Sequence, residues 1–457
     1  MDYLALWMFV VAVAFLLIGY PVAFSLGGAA VLFSLIGSDI LPHMGLALPW
    51  EPVFRMARLN MLPGRIFGNI MDNYSLVAVP FFVFMGVMLE KSRLAEDLLE
   101  TMGILFGKLR GGLAISVVVV GTLLAASTGV VGASVVTMGV LALPVMLKYN
   151  YDKGLASGVV AASGTLGQII PPSIVLIILG DQMGISVGDL FLGAVFPGLI
   201  LSGLFIVWII CLAFTRPTDV PALPESARRL AKGTLLLRVA TTMLPPLLLI
   251  VIVLGTIFAG IATPTEAGAM GALGATLLAS VNRRLNWTSL RGVLDQTVKL
   301  TSMVFLILLG ATAFTMVFIS LKGPVLVEDV LVNLPGGNIG FLIFTMLVIF
   351  VLGFFIDFIE ITFIVIPVIV PIALKLGIDP LWFAVLIAVN LQTSFLTPPF
   401  GFALFYLKGV APPAVRTVDI YRGIIPFIAI QLLTLVLLWF FPEIVTWLPY
   451  LSDVVQK

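Results

Sequence analysis

SGTLGQIIPPS (residues 163–173) and NLQTSFLTPPF (residues 390–400) each interrupt a long apolar run with Gly, Ser, Thr, Gln or Asn and a Pro-Pro pair. Proline fixes its own backbone and removes a donor, so neither run continues as one regular helix. In lipid an unpaired backbone group is costly, and a break at membrane depth has to be buried in protein or line a watery cavity. The surrounding segments, 154–180 and 380–410, are therefore read as broken helices. Two more apolar segments, 112–147 and 339–375, are interrupted in the same way. A shift of 227 positions carries Pro144 onto Pro371, Asp152 onto Asp379 and Pro171-Pro172 onto Pro398-Pro399. The chain thus reads as two copies of one unit. A weaker echo sets Gly19-Tyr20-Pro21 against Ala262-Thr263-Pro264.

Composition agrees with a membrane setting. Of 457 residues, 61% are hydrophobic and only 10% are Asp, Glu, Lys or Arg, against roughly 25% charged in soluble domains. That excludes an ordinary soluble enzyme. A net charge of +1 offers no surplus to hold nucleic acid. The expectation is an all-α polytopic protein whose partner is the lipid bilayer. About 20 apolar residues cross the hydrocarbon layer. Runs near 4–20, 22–37, 76–90, 190–214, 239–260, 264–281, 300–319 and 423–442, with the broken segments, predict roughly ten crossings. The first run follows Met1 and Asp2 without a basic leader, so it is expected to stay in the mature chain. Cys211 and His43 are the single cysteine and histidine. They predict neither a disulfide framework nor a transition-metal cluster.

Charge orients the spans. With 112–147 and 339–375 as hairpins that enter and leave on one side, and the N-terminus outside, only Arg55, Arg58, Arg65, Lys322, Lys375 and Lys457 of the 24 basic residues face outward. The positive-inside rule selects this arrangement over its mirror. It inverts the two copies relative to each other: a first repeat at 1–214, a polar, Pro-bearing linker at 215–237 on the cytoplasmic side, and a second repeat at 238–457. Inverted repeats with discontinuous helices point to a secondary transporter with its site near the midplane. Residues 44–72 and 92–110 mix charged and apolar residues, as interfacial arms do.

The breaks supply the chemistry. At the first hairpin tip, Ser127, Thr128 and Gly129 combine small residues with hydroxyls. Helix N-termini facing such a gap favour an anion, and freed carbonyls are hard oxygen ligands. Ser163 to Ser173 offers a partner set, and two such breaks at one depth can surround a small cation. Asp357 and Glu360 sit in an apolar run, where carboxylates default to a functional reading; helix capping is the plainer account. Thr263-Pro264-Thr265-Glu266 has capping-box spacing and is read as a helix start. Lys408 and Arg416 are read as topology anchors. An intramembrane enzyme would need a nucleophile and base, or metal ligands, at membrane depth, so the chain is not read as an enzyme.

Taken together, PFFVFMGVML (80–89), SGTLGQIIPPSI (163–174), ATPTEAGAMGA (262–272) and NLQTSFLTPPFGFALF (390–405) resemble the DctM-like large membrane subunit of tripartite ATP-independent periplasmic (TRAP) transporters. The resemblance covers nearly the whole chain. It implies an elevator-type importer in the bacterial inner membrane with a periplasmic N-terminus, driven by sodium and carrying a carboxylate-bearing anion. It further implies a separate four-helix small subunit and a periplasmic substrate-binding protein, with Na⁺ as coupling ion and no organic cofactor. Carried onto this sequence, one ion site comprises Ser127, Thr128, Gly129, Ser163, Gly164 and Gly167, and the other Gly353, Asp357, Asn390, Thr393 and Thr397. The substrate is expected among Ser127, Thr128, Pro171, Pro172, Asp357, Pro398 and Pro399. FIDFIEIT (355–362) departs from commoner members in carrying Glu360 where a small residue is frequent. A sugar acid, a dicarboxylate and a 2-oxo acid remain open, the last preferred, and a proton-coupled carrier of the same fold is the alternative.

Overall fold

The computed structural model describes residues 4–40, 56–92, 94–128, 131–225 and 232–456, and every regular element among them is helical. Among the described residues six helices are long and apolar enough to cross a bilayer: Tyr74–Lys91, Val131–Lys148, Val187–Thr215, Leu237–Phe258, Trp287–Ser320 and Thr417–Phe440. Phe358–Ile364 and Ile366–Lys375, bent by 55°, add a seventh if counted as one span. The roughly ten crossings expected are not reached by single long helices. Much of the remaining apolar sequence forms shorter helices, among them Leu4–Ile18, Gly337–Leu352 and Pro380–Leu396. Glycine, proline and aspartate at the interruptions cut these runs before they reach spanning length.

Each of the four interrupted segments contains a break between helices. The first hairpin segment forms limbs Gly112–Thr128 and Val131–Lys148. The first broken helix runs Lys153–Thr165, tightens into a 3-10 turn at Leu166–Gln168, and resumes at Ile174–Met183. The second hairpin segment is Gly337–Leu352 followed by the bent pair. The second broken helix is Pro380–Leu396 and then Phe402–Val410. Local chemistry explains the starts. Asp152 accepts from the Leu155 N–H at 2.8 Å, and Thr263 and Glu266 form the expected capping box, with the Thr263 N–H donating to Glu266 at 2.8 Å. Arg416 pairs with Asp419 at 3.3 Å.

The helices gather into two compact units. One comprises Met1–Leu76 and Lys299–Pro380, the other Val77–Val298 and Leu381–Lys457. In the first, Phe9 meets Phe314 edge-on at 5.8 Å. A Cβ on Gly310 would lie 2.5 Å from the Ala23 carbonyl oxygen, so these helices cross backbone against backbone. The second hairpin contributes Phe341, Ile349 and Phe363 to this core.

In the second unit the first broken helix is the centre: Leu155 to Thr165 are all buried. Small residues make that possible, as expected where helix backbones approach closely. Gly158 faces the carbonyl of Gly423 on Thr417–Phe440, and a Cβ on Gly121 of the first hairpin would lie 2.6 Å from the Ser163 Cβ. Leu94–Phe106, within one of the expected arms, carries Glu100 paired with Arg238 at 2.7 Å. The linker is shorter than its predicted 215–237, since a helix starts at Lys232. Its first half is stitched down: the Gly111 N–H donates to the Val220 carbonyl, Leu223 to Gly107, and Asp152 to Asp219.

The Tyr151 hydroxyl accepts from the Leu113 N–H at 3.3 Å, at the start of the hairpin's ingoing limb. Burial pushes this phenol up to about 12, so it stays neutral at working pH. Tyr151→Phe leaves that buried N–H without its acceptor. A loss of about 1–2 kcal/mol is expected, read as a lower melting temperature in detergent with transport retained.

Candidate functional site

Within the second unit the two helices that lead into the Pro-Pro breaks touch. Gln392 donates through Nε2 to Thr165 Oγ1 at 3.3 Å, across 227 positions, which is the shift that relates the two sequence copies. Equivalent positions of the two broken helices therefore touch.

The first break is held tightly. Gly164 presses on the outgoing limb of the first hairpin, where its Cβ would lie 2.9 Å from the Val135 Cα. Gly167 is buried in the 3-10 turn. Ser173 donates to the Gln168 carbonyl at 3.0 Å, closing the loop over Pro171 and Pro172. Ser163 is fully buried, and its hydroxyl has no hydrogen-bond partner.

At the second break Asn390, Gln392, Thr393 and Ser394 are buried. The Thr393 hydroxyl donates to the Val389 carbonyl and the Thr397 hydroxyl to the Thr393 carbonyl, both at 2.8 Å. Each hydroxyl oxygen keeps lone-pair capacity for a cation. The Pro399 carbonyl accepts from the Tyr421 hydroxyl at 2.8 Å. Both Pro-Pro peptides are cis. The first hairpin joins this assembly, because its outgoing limb sets Gly139 against Leu407 and Val410, and Gly132 against the Tyr406 ring, where an added Cβ would lie 3.0 Å away.

Six of the expected ion-binding residues, Ser163, Gly164, Gly167, Asn390, Thr393 and Thr397, thus lie on the two broken helices of one unit, with Pro171, Pro172, Pro398 and Pro399 at their interruptions. Ser127 and Thr128 close the ingoing hairpin limb as backbone; their side chains, and Gly129 altogether, lie outside the described residues. Gly353 and Asp357 belong to the first unit. There Asp357 caps Phe358–Ile364, accepting from the Phe358 N–H at 2.7 Å, while Glu360 accepts from the Asp357 N–H at 3.1 Å. The capping account of this carboxylate pair is the one the hydrogen bonds support.

Three residues in the breaks were not singled out from sequence: Thr165, Gln168 and Gln392. The available signal was an uncharged amide inside an apolar helix, with Gln392 falling on Thr165 under the repeat shift. Gln431, buried in Thr417–Phe440 with both amide atoms unpartnered, was missed as well. An apolar cavity of about 640 Å³, lined by Leu192, Phe258, Leu448 and Leu451 among others, lies in the same unit and does not include the breaks.

The sequence matches the DctM component of tripartite ATP-independent periplasmic transporters over residues 9–444. It is 32% identical over 416 residues to the C4-dicarboxylate TRAP transporter large permease protein DctM of Vibrio cholerae, covering 86% of this chain and 90% of that one. The Pseudomonas aeruginosa protein of the same description is 33% identical over 380 residues, at 83% and 87% coverage. The sialic acid TRAP transporter large permease protein SiaM of Vibrio cholerae is 30% identical over 398 residues, at 86% and 90%. Among solved structures, the YdaH transporter of Alcanivorax borkumensis superposes with a TM-score of 0.63 over 92% of this chain and 98% of that one. At 14% identity this is a likeness of fold alone. The chain belongs to the DctM family, a family of polytopic membrane permeases in tripartite ATP-independent periplasmic transporters and not of enzymes.

Proposed function

We propose that this chain imports an organic anion bearing a carboxylate, driven by sodium, across the bacterial inner membrane with its N-terminus on the periplasmic side. It works with a four-helix small membrane subunit and a periplasmic binding protein that delivers the substrate. The observation that carries this reading is the Gln392–Thr165 hydrogen bond, which sets two interrupted helices against each other in a buried place rich in oxygen. Family membership supports it, as do relatives described as carrying C4-dicarboxylates and sialic acid, all carboxylates.

In this reading the repeats 1–214 and 238–457 are inverted copies, and alternating access is of the elevator type. Ser127, Thr128, Gly129, Ser163, Gly164 and Gly167 hold one sodium ion; Gly353, Asp357, Asn390, Thr393 and Thr397 hold another. Ser127, Thr128, Pro171, Pro172, Asp357, Pro398 and Pro399 form the substrate's surroundings. Sodium offsets the anion's charge, so either partner entering a low-dielectric site alone is disfavoured. That gives obligatory coupling its physical reason.

The test is uptake of a labelled carboxylate into proteoliposomes holding both membrane subunits, with the binding protein outside. A sodium gradient with the pH gradient collapsed is expected to drive accumulation, and removing sodium to abolish it. Accumulation that persists without sodium and follows an imposed pH gradient would establish the proton-coupled alternative instead.

A further inference from the structure

The two glutamines at the breaks carry more than packing. Gln168 is 1% exposed and Gln392 0%. Gln168 Oε1 and Nε2 and Gln392 Oε1 have no hydrogen-bond partner in the protein, and only Gln392 Nε2 is engaged, on Thr165. Side chains three apart eclipse in a 3-10 turn. Thr165 caps such a turn and Gln168 ends it, three positions apart, so the spacing puts the free amide of Gln168 on the same side of the turn as the threonine that Gln392 meets. The result is a buried patch with two carbonyl oxygens seeking donors and one NH₂ group seeking an acceptor.

Buried polar groups in folded proteins are nearly always satisfied, and the donor–acceptor balance selects what can satisfy these. A carboxylate or an oxo group only accepts; it would serve Nε2 and face two carbonyl oxygens. A sodium ion would serve the carbonyls and leave the NH₂ group unmet. A hydroxyl accepts from the NH₂ group and donates its one proton to a carbonyl, so it alone meets groups of both kinds, and a pair of hydroxyls meets the whole set. In sequence the two glutamines come just before the Pro171-Pro172 and Pro398-Pro399 interruptions, which belong to the proposed surroundings of the substrate.

We infer that Gln168 and Gln392 form a recognition site for a hydroxyl group of the transported anion, which makes the substrate a hydroxy-carboxylate rather than a simple dicarboxylate or 2-oxo acid. This rests on the transport reading above and narrows it. A site built to bond a hydroxyl discriminates strongly against the analogue lacking it, because its own polar groups are then stranded.

The experiment uses the full chain purified with its small subunit in detergent and sodium. Binding is measured calorimetrically for malate against succinate, lactate against propionate, and gluconate against hexanoate. In at least one pair the hydroxylated acid is expected to bind more than tenfold tighter. Gln168→Met and Gln392→Met keep the volume and remove the amides; together they are expected to erase that ratio by weakening the hydroxylated acid alone. Their melting temperature without acid is expected to change little, since only the 3.3 Å Gln392–Thr165 hydrogen bond is lost while three unpartnered amide atoms are removed. Equal binding within every pair, a ratio that survives the double substitution, or a large drop in melting temperature overturns the inference while leaving sodium-driven transport standing. If neither sodium nor any acid binds, the transport reading itself falls, and the inference with it.

Discussion

Gly158→Val is expected to yield no monodisperse protein. Gly158 lies in the fully buried first broken helix, and a side chain there runs into the backbone carbonyl of Gly423 and comes 3.0 Å from the Phe427 ring. Added carbon in a well-packed core typically costs about 1–3 kcal/mol when side chains can give way. Here the obstacle is main chain, so the two helices have to separate, which strips contacts from a core worth only 5–15 kcal/mol net in an ordinary domain. Gly203→Val is the control: it lies on Val187–Thr215, with nothing within 4 Å of an added Cβ. Fluorescence-detected size-exclusion chromatography should show the first variant aggregated and the second normal. Indistinguishable profiles would refute the backbone-contact account of this seam.

Asp357→Asn is expected to lower sodium-dependent uptake a hundredfold or more in a protein that still folds. Asparagine can cap the helix as aspartate does, so the hydrogen bond from the Phe358 N–H survives while the negative charge does not. If that charge faces a bound cation at about 4 Å, an effective dielectric near 20 makes the lost attraction roughly 4 kcal/mol. Glu360→Gln keeps the other arm of the capping box, since glutamine serves at that position, and is expected to transport normally. Near-normal uptake by Asp357→Asn would remove the carboxylate from the ion site. Failure of Glu360→Gln would favour titration of this pair and with it the proton-coupled carrier.

The sequence was most informative where local chemistry alone decides the outcome. Pro171-Pro172 and Pro398-Pro399 lie where their helices break, although Pro245-Pro246 stays inside Lys232–Phe258, so the Gly, Ser, Thr and amide residues beside the pair are part of the signal. Thr263 and Glu266 lie within one turn, so their capping box was readable from spacing. What escaped the reading depends on contacts between distant segments. Nothing adjacent to Gln168 or Gln392 announces that their amides are buried and short of partners; that follows only once two helices from opposite halves meet. The expected crossings do not all correspond to single long helices, because an apolar run fixes composition and not where a glycine or aspartate will end the helix. Asp357 and Glu360 drew attention as charges with helix capping as the plainer account, and the hydrogen bonds to the Phe358 and Asp357 N–H groups agree with it.

The contact between Gly158 and Gly423 also has a bearing on biosynthesis. The first broken helix leaves the ribosome roughly 260 residues before its partner, a delay on the order of 10–50 s at about 5–20 residues per second. Throughout that interval a segment with an open polar interruption sits beside the insertion machinery without the surface that will enclose it. Quality control of this permease therefore acts late, and a ribosome that stalls before the last helices leaves a product destined for proteolysis.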